Sequence, residues 1–342
     1  MKTPTFAESF ETLCIYTEKC GMDRMFFGDS LKRVRQMAPA FLLGNSFPEL
    51  YFEFPLMGDP SLSVTFLYSD LERNMQIDSP LAIGYDELIN YIADTQKIYP
   101  DVGFGFELDT EKTIVPPVAV HFEPRNNPLL VTRFFELLGE KERLHLYDDM
   151  RKSLPKNWEP AYFGLFRERP EAPLRVCGYL QKDEVISCKE DPSHIKDIFD
   201  KVGFTAFDQT MISQITEVLR IEPAGFGYQF DIYPDGTMGK IFSIEIMLKE
   251  RSEKSIRKSF EKGAALQILD MMRKYGLAEE KSRLLGEFTF ERSVPVELKD
   301  GSLAPFHLGF RPKWFKIRWD NTKLVPAKCY FLLQAAFEET FF

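Results

Sequence analysis

Basic and aromatic side chains recur at every second position along several short segments of the chain. Arg175 and Tyr179 share one such segment, and Lys328 and Tyr330 share another. Alternate residues of an extended strand point to the same side, so these groups would face a common space. There, lysine and arginine could bind an anion, and tyrosine rings could shield a cation.

Carboxylates and one histidine follow the same spacing. Glu49 and Glu53 share a face of one segment, and His121 and Glu123 share a face of another. Such groups could accept or donate a proton during a reaction. The full set predicted on this face is Glu49, Glu53, Glu107, Asp109, His121, Glu123, Arg175, Tyr179, Asp231, Glu245, Lys316, Arg318, Lys328 and Tyr330.

The segments occur in pairs that have the signature of a β-hairpin. Each pair has two runs rich in β-branched and aromatic residues, joined by a turn such as Met57-Gly58-Asp59-Pro60. Between the pairs, apolar residues change to helical spacing, as in the stripe that contains Leu130, Phe134 and Leu138. The five predicted hairpins are Glu49–Tyr68, Val102–Glu123, Ala161–Leu180, Gly225–Leu248 and Phe306–Leu333.

This repeat predicts an α+β protein with a closed ten-stranded antiparallel β-barrel and helices around its outside. Closure removes the exposed edges of so wide a sheet, and a barrel of that size encloses a chamber. We expect a single domain, 1–342, with N-terminal helices in 1–45 and the five helix-separated hairpins in 46–342. Two separate α+β layers are the alternative fold, and a one-sided sheet with its polar face in bulk solvent is the alternative for that face.

Composition narrows the classes of function. The net charge of −9 over 342 residues argues against a nucleic-acid-binding surface, which needs a basic footprint. The five cysteines include no C-x-x-C pair, which is typical of reduced thiols. We find no signal peptide and no membrane-spanning run, and therefore expect a soluble cytoplasmic protein with no membrane partner.

Several short motifs resemble those of the aromatic prenyltransferases with the ABBA, or PT-barrel, architecture, in particular the dimethylallyltryptophan synthase-like group. Pro48-Glu49-Leu50-Tyr51-Phe52 is similar to the family's first acidic motif. Arg175-Val176-Cys177-Gly178-Tyr179 matches its Arg-x-Lys-x-Tyr motif with cysteine in the lysine position, and Lys328-Cys329-Tyr330 keeps Lys-x-Tyr. Ala119–Pro124 is similar to the second unit's Lys-x-Tyr-Phe-x-Pro, with both functional residues replaced.

The resemblance implies transfer of a prenyl group from an allylic diphosphate to an aromatic, indole or peptide acceptor. Glu49 would anchor the acceptor N–H and help remove its proton, and Tyr179 and Tyr330 would shield the allyl cation. The diphosphate would bind Arg175, Lys316, Arg318 and Lys328. The chain has no DDxxD motif, so we expect ionisation without a cofactor and without a requirement for Mg²⁺, whose participation stays open.

Acidic residues outnumber basic ones on the predicted inner face, which keeps other functions open. One alternative is a different enzyme that acts on a polar or cationic substrate through Glu49, Glu107 and Glu245 with His121. A second alternative is a non-catalytic barrel that binds a small ligand or a peptide. We therefore treat Glu49, Glu107 and His121 as candidate catalytic residues. Candidates for substrate binding are Arg175, Tyr179, Glu245, Lys316, Arg318, Lys328 and Tyr330.

Three histidines and one cysteine are given no chemical role. His145, His194 and His307 have no partner at metal-ligand spacing in the sequence, so we expect surface or core positions and no metal site. Cys177 lies between Arg175 and Tyr179 without an identifiable base, which indicates a buried, inert thiol.

Overall fold

The structure is a computed structural model of the chain. It describes residues 6–38, 49–68, 85–109, 119–124, 127–158, 160–167, 169, 171–297 and 301–337.

Eleven strands form within these ranges. The first six are β1 (Glu49–Pro55), β2 (Ser63–Tyr68), β3 (Gly103–Asp109), β4 (Ala119–Glu123), β5 (Pro160–Leu165) and β6 (Leu174–Leu180). The remaining five are β7 (Gly225–Ile232), β8 (Met238–Met247), β9 (Phe290–Glu297), β10 (Leu303–Asp320) and β11 (Lys323–Phe337).

Helices separate the hairpins, as the change in apolar spacing predicts. They are α1 (Phe6–Cys20), α2 (Ser30–Met37), α3 (Asp86–Gln96), α4 (Pro128–Leu137), α5 (Leu144–Ser153), α6 (Lys182–Glu190), α7 (Ser193–Val202), α8 (Gln209–Leu219), α9 (Glu253–Lys262) and α10 (Ala264–Lys274). The described residues also form a π-helical turn at Asp23–Phe27 and 3₁₀ segments at Lys141–Arg143 and Glu280–Phe288.

Ten strands close into an antiparallel barrel. Neighbouring strands pair in chain order from β1 to β8, β8 then pairs with β10, β10 with β11, and β11 returns to β1. The predicted ten-stranded barrel is therefore confirmed. The additional strand β9 was not predicted; it pairs with the first part of β10, from Phe310 back to Leu303, outside the barrel.

The apolar core lies between the barrel's outer face and the helices. Burial alternates strictly along β1 and β2, and Phe52, Phe54 and Phe66 are completely buried on the outward side. On α4, Phe134 stacks on Phe122 of β4 with ring centroids 4.5 Å apart. Each such aromatic ring contributes roughly 1.5–3 kcal/mol by leaving water, so the core fixes which strand face remains for the lumen.

No helix in the described ranges combines the length and the apolar content that a membrane crossing requires.

Candidate functional site

The inner face of the barrel surrounds a cavity of about 550 Å³. Its wall reaches from Asp101, between α3 and β3, and Arg251, between β8 and α9, to a charged floor at Glu53 and Lys316. Eight of the ten candidate site residues line it, namely Glu49, Glu107, His121, Arg175, Tyr179, Glu245, Lys316 and Tyr330. The predicted polar face is thus the lumen of the barrel, and the alternative of a sheet open to bulk solvent is wrong.

One group of floor residues, which we call the lysine cluster, consists of Glu53, Lys316, Lys328 and Tyr330. The carboxylate of Glu53 accepts hydrogen bonds from Lys328 Nζ and from the Tyr330 hydroxyl. Lys316 Nζ donates to the Tyr330 hydroxyl oxygen at 2.9 Å and lies 3.9 Å from Glu53 Oε2. Two ammonium groups therefore share one carboxylate and one phenol.

The electrostatics of the lysine cluster follow from its burial. Burial alone would raise the pKa of Glu53, but Lys328 and Lys316 outweigh it and hold this pKa at about 2. Burial also lowers the pKa of Lys316. The Glu53 carboxylate is consequently ionised at neutral pH and acts as the built-in counter-ion of the two lysines.

A second group, the arginine cluster, lies on the opposite part of the wall and consists of Glu107, His121, Arg169, Arg175 and Asp231. Arg175 and Asp231 are cross-strand partners in β6 and β7, and the guanidinium donates twice to the carboxylate at 2.7 and 2.9 Å. Glu107 Oε2 lies 3.2 Å from His121 Nε2, and Arg169 Nη2 donates to Glu107 Oε1 at 2.9 Å.

Charge pairing and ring stacking hold the arginine cluster in place. Burial would raise the pKa of Glu107, but the His121 hydrogen bond and Arg169 outweigh it and hold this pKa well below its usual range. The guanidinium carbons of Arg169 and Arg175 lie 4.0 and 4.4 Å from the centroid of the Phe166 ring. Arg175 and Asp231 thus form a bidentate pair that uses two of the five guanidinium N–H groups of Arg175.

The His121 ring packs directly on the neighbouring strand. A Cβ atom added at Gly164, its partner on β5, would lie 2.8 Å from His121 Nδ1. That Nδ1 is buried and has no hydrogen-bond partner among the described residues. Glycine at this position therefore creates the space that the imidazole occupies.

Glu245 lies between the two clusters. It is the cross-strand partner of Lys316, and Gln229 Nε2 donates to its Oε1 at 2.6 Å. Burial raises the pKa of Glu245 to about 7, with Lys316 opposing the shift and Glu53 adding to it. A carboxyl group in this range can exchange a proton near neutral pH.

Aromatic rings form the wall above the lysine cluster. The ring of Trp314 lies between those of Tyr51 and Tyr330, with centroid separations of 4.9 and 5.1 Å. Across the cavity, Tyr162 and Tyr179 also reach the lumen. Burial raises the pKa values of Tyr51 and Tyr162 well above the usual range, so both stay neutral phenols.

Glu49 precedes Tyr51 by two residues on the inner face of β1, closer to the end of the strand than the aromatic wall. It accepts hydrogen bonds from the Tyr51 hydroxyl and, at 3.2 Å, from Gln334 Nε2. Its partners lie on β1 and β11, whereas Glu107 bonds to His121 and Arg169. The three candidate catalytic residues therefore do not form one constellation.

The two remaining candidates, Lys328 and Arg318, lie outside the cavity lining. Lys328 still reaches the floor through Glu53. Arg318 is one inner position further along β10, where its Nη2 donates to the Pro326 carbonyl oxygen at 3.4 Å. The side chain of Asp109, at the end of β3, lies outside the described residues.

Some lining residues were missed at the sequence level. Tyr51 and Gln229 alternate with predicted inner residues, and Trp314 is two positions before Lys316, so period-two spacing could have found all three. Arg169 gave no such signal, because it lies in the connection between β5 and β6. Cys177 lines the cavity with a buried thiol, and burial raises its pKa above the usual range. The predicted burial of Cys177 is confirmed, and its inert role stays a prediction.

The chain matches no protein-family model and no curated protein sequence. Solved structures, in contrast, match over nearly the whole chain. The 5-dimethylallyltryptophan synthase from Streptomyces coelicolor aligns with a TM-score of 0.52 at 11% identity, covering 97% of this chain and 98% of that chain. Prenyltransferase PriB in its apo form aligns with a TM-score of 0.50 at 10% identity, covering 97% and 96%.

A third match is the NotF prenyltransferase, with a TM-score of 0.50 at 12% identity and coverage of 94% and 92%. The chain therefore has the PT-barrel fold, and the resemblance inferred from its motifs is confirmed at the level of the fold. Identities this low place it as a divergent example of that fold.

Proposed function

We propose that this chain is a prenyltransferase that moves an allylic group from a diphosphate to an aromatic or peptide acceptor inside the barrel. The observation that supports it most directly is that Lys316 and Lys328 converge beside Tyr330, at the foot of the wall formed by Tyr51 and Trp314. Prenyl transfer needs this adjacency, because the diphosphate leaves as a cationic allyl fragment forms next to it.

Lys316 and Lys328 would stabilise the negative charge that develops on the leaving diphosphate. The stacked faces of Tyr51, Trp314 and Tyr330 would stabilise the allyl cation through their ring quadrupoles, by about 0.5–2 kcal/mol each. The acceptor ring would then attack the cation. No step in this scheme needs a metal ion, and a role for Mg²⁺ stays open.

The proton of the acceptor ring would go to a carboxylate. Glu245 suits this role, because its pKa of about 7 lets it take up a proton near neutral pH. Glu49 suits the anchoring of an acceptor N–H, since its carboxylate lines the cavity beside the ring of Tyr51. Glu107 is bound to both His121 and Arg169, which favours a positioning role for Glu107 and His121.

Replacement of Glu53, the carboxylate already paired with the two lysines, tests the proposed diphosphate site most directly. A diphosphate must compete with this carboxylate for both lysines. We expect Glu53→Gln to tighten binding of dimethylallyl S-thiolodiphosphate at least tenfold, about 1.4 kcal/mol, because one like charge is removed beside the bound anion. Isothermal titration calorimetry with and without Mg²⁺ measures the change.

Lys328→Met should change binding in the opposite direction in the same calorimetric titration. Loss of a charge-assisted hydrogen bond should weaken binding of the thiolodiphosphate roughly ten- to hundredfold. Lys323→Met is the matched control, since Lys323 is exposed on the same strand. No thiolodiphosphate binding to the wild type or to Glu53→Gln would refute the proposal.

A second candidate function rests on a specific observation. Among the described lining residues, six are acidic (Glu49, Glu53, Asp101, Glu107, Glu123 and Glu245) and four are basic (Arg175, Arg251, Lys313 and Lys316). This excess favours a cationic ligand held between carboxylates and aromatic rings. Glu53→Gln would then weaken the binding of an alkylammonium probe, which is the reverse of the effect on a diphosphate.

A further inference from the structure

A cluster of metal-ligating side chains lies outside the barrel, on the helices that follow β6. Glu184 and Cys188 are one turn apart on α6, and His194 is in the first turn of α7. One carboxylate oxygen, the thiol sulfur and one imidazole nitrogen all lie within 4.8 Å of one another. In the part of the chain that the structure describes, this is the one such group of three.

The three side chains differ in exposure in a way that suits a site with one open position. Glu184 and Cys188 are 4% and 0% exposed, whereas the His194 side chain is 34% exposed. Glu184 Oε1 lies 2.8 Å from His194 Nε2 and 4.0 Å from Cys188 Sγ. Solvent reaches the group from the histidine side.

A neighbouring tryptophan fixes the carboxylate. The Trp158 indole Nε1–H donates to Glu184 Oε1 at 3.0 Å. Its ring packs on the outward side of β7, 4.9 Å from the ring of Tyr228, and the Tyr228 hydroxyl donates to the Trp158 carbonyl oxygen. Carboxylates that bind metals are commonly oriented by such a second hydrogen bond.

We propose that Glu184, Cys188 and His194 form a zinc-binding site that joins α6 to α7 and leaves the fourth coordination position to water. Sulfur, imidazole nitrogen and carboxylate oxygen are the donors that zinc prefers, and tetrahedral coordination suits three protein ligands plus a solvent molecule. The site is separate from the lumen and is independent of the proposed transfer activity.

Binding would require a small contraction and the loss of one proton to solvent. In tetrahedral zinc sites, a sulfur and a nitrogen ligand lie about 3.5 Å apart. The three ligand atoms here lie within 4.8 Å of one another, so their separations must shorten by on the order of 1 Å. Zinc binds the thiolate form of a cysteine, so Cys188 must lose its thiol proton. Formation of the zinc–thiolate bond therefore releases the thiol proton to the buffer, while His194 binds through neutral Nε2.

Titration of the metal-stripped, full-length protein with Zn²⁺ tests the site. Calorimetry should show one Zn²⁺ per chain, with proton release that appears as a dependence of the heat on the buffer's ionisation enthalpy. With Co²⁺ as the probe, a thiolate-to-metal charge-transfer band should appear and should vanish in Cys188→Ser. His194→Gln should weaken Zn²⁺ binding at least tenfold, and because His194 is partly exposed this variant should keep the fold.

Cys20→Ser and His145→Gln are the matched controls, since each removes the same donor type elsewhere in the chain. Both should bind Zn²⁺ like the wild type. No stoichiometric Zn²⁺ binding by the folded wild type would overturn the proposal. A Co²⁺ thiolate band that persists in Cys188→Ser but is lost in Cys20→Ser would overturn it as well.

Discussion

The lysine cluster and the arginine cluster contain the same kinds of charge but arrange them differently. In the arginine cluster, Arg175 and Asp231 satisfy each other through two hydrogen bonds on paired strands. In the lysine cluster, two flexible ammonium groups share one carboxylate and a phenol. A planar bidentate pair is specific and hard to exchange, whereas lysine is a point charge that can change partners. The first cluster therefore suits a structural role, and the second suits ligand exchange.

Removal of Asp231 should have the largest effect on stability. Asp231→Ala leaves the Arg175 guanidinium buried without its partner, which typically costs about 3–5 kcal/mol. Urea denaturation measures the loss in the free energy of unfolding. Asp197→Ala, at an exposed position of α7, is the control and should change it by less than about 0.5 kcal/mol. A loss for Asp231→Ala no larger than this would show that the arginine cluster is not structural.

Glu245 lies between the two clusters, and its raised pKa predicts that the stability of the fold depends on pH. Its pKa in the folded chain is about 7, against an ordinary value of 4.5. Between these pH values the folded chain keeps the proton and the unfolded chain releases it, so stability falls as pH rises. The shift corresponds to a loss of roughly 3 kcal/mol, at about 1.4 kcal/mol per pH unit.

Denaturation at pH 5 and at pH 8 measures this dependence, and Glu245→Gln should remove it. Glu279→Gln is the control, because Glu279 is an exposed acidic residue far from the lumen whose pKa is shifted in the opposite direction. Equal pH dependence in the wild type and in Glu245→Gln would contradict the prediction.

Lys328→Met should have the smallest effect on stability. Glu53 keeps Tyr330 and Lys316 as partners after the change, and the Lys328 side chain is already 23% exposed. We expect a loss of at most about 1 kcal/mol in the free energy of unfolding, measured by the same denaturation. A loss as large as that of Asp231→Ala would remove the distinction between the clusters.

Much of the barrel follows from local patterns in the chain. Strict period-two alternation in β1 assigns Glu49 and Glu53 to the lumen before any contact is known. Strand β9 was missed because Phe290–Glu297 has a largely exposed face and pairs only with β10 among the described strands. Its sequence pattern does not predict a strand face that packs on the core.

Local sequence patterns could not predict which charged residues pair with each other in the fold. Arg175 was expected at a diphosphate, which stays a prediction, but its pairing with Asp231 across β6 and β7 could not be inferred from the spacing. His194 was expected at a surface or core position, because it has no partner at metal-ligand spacing in the sequence, and the structure places it beside Glu184 and Cys188. The turn between α6 and α7 folds it back onto Glu184 and Cys188, which sequence spacing does not reveal. Such contacts depend on tertiary packing.

The closure of the barrel by β11 on β1 has a consequence for the order of events during synthesis. The Tyr330 hydroxyl meets the Glu53 carboxylate across 277 residues of sequence. During synthesis, the edge of β1 that pairs with β11 stays unpaired until β11 has been made. Contacts of such long range are slow to form because the intervening chain must be ordered first. The lysine cluster is therefore completed only when β11 pairs with β1, and a nascent chain that stops before β11 has an open barrel wall and lacks both Lys328 and Tyr330, the hydrogen-bond donors to Glu53.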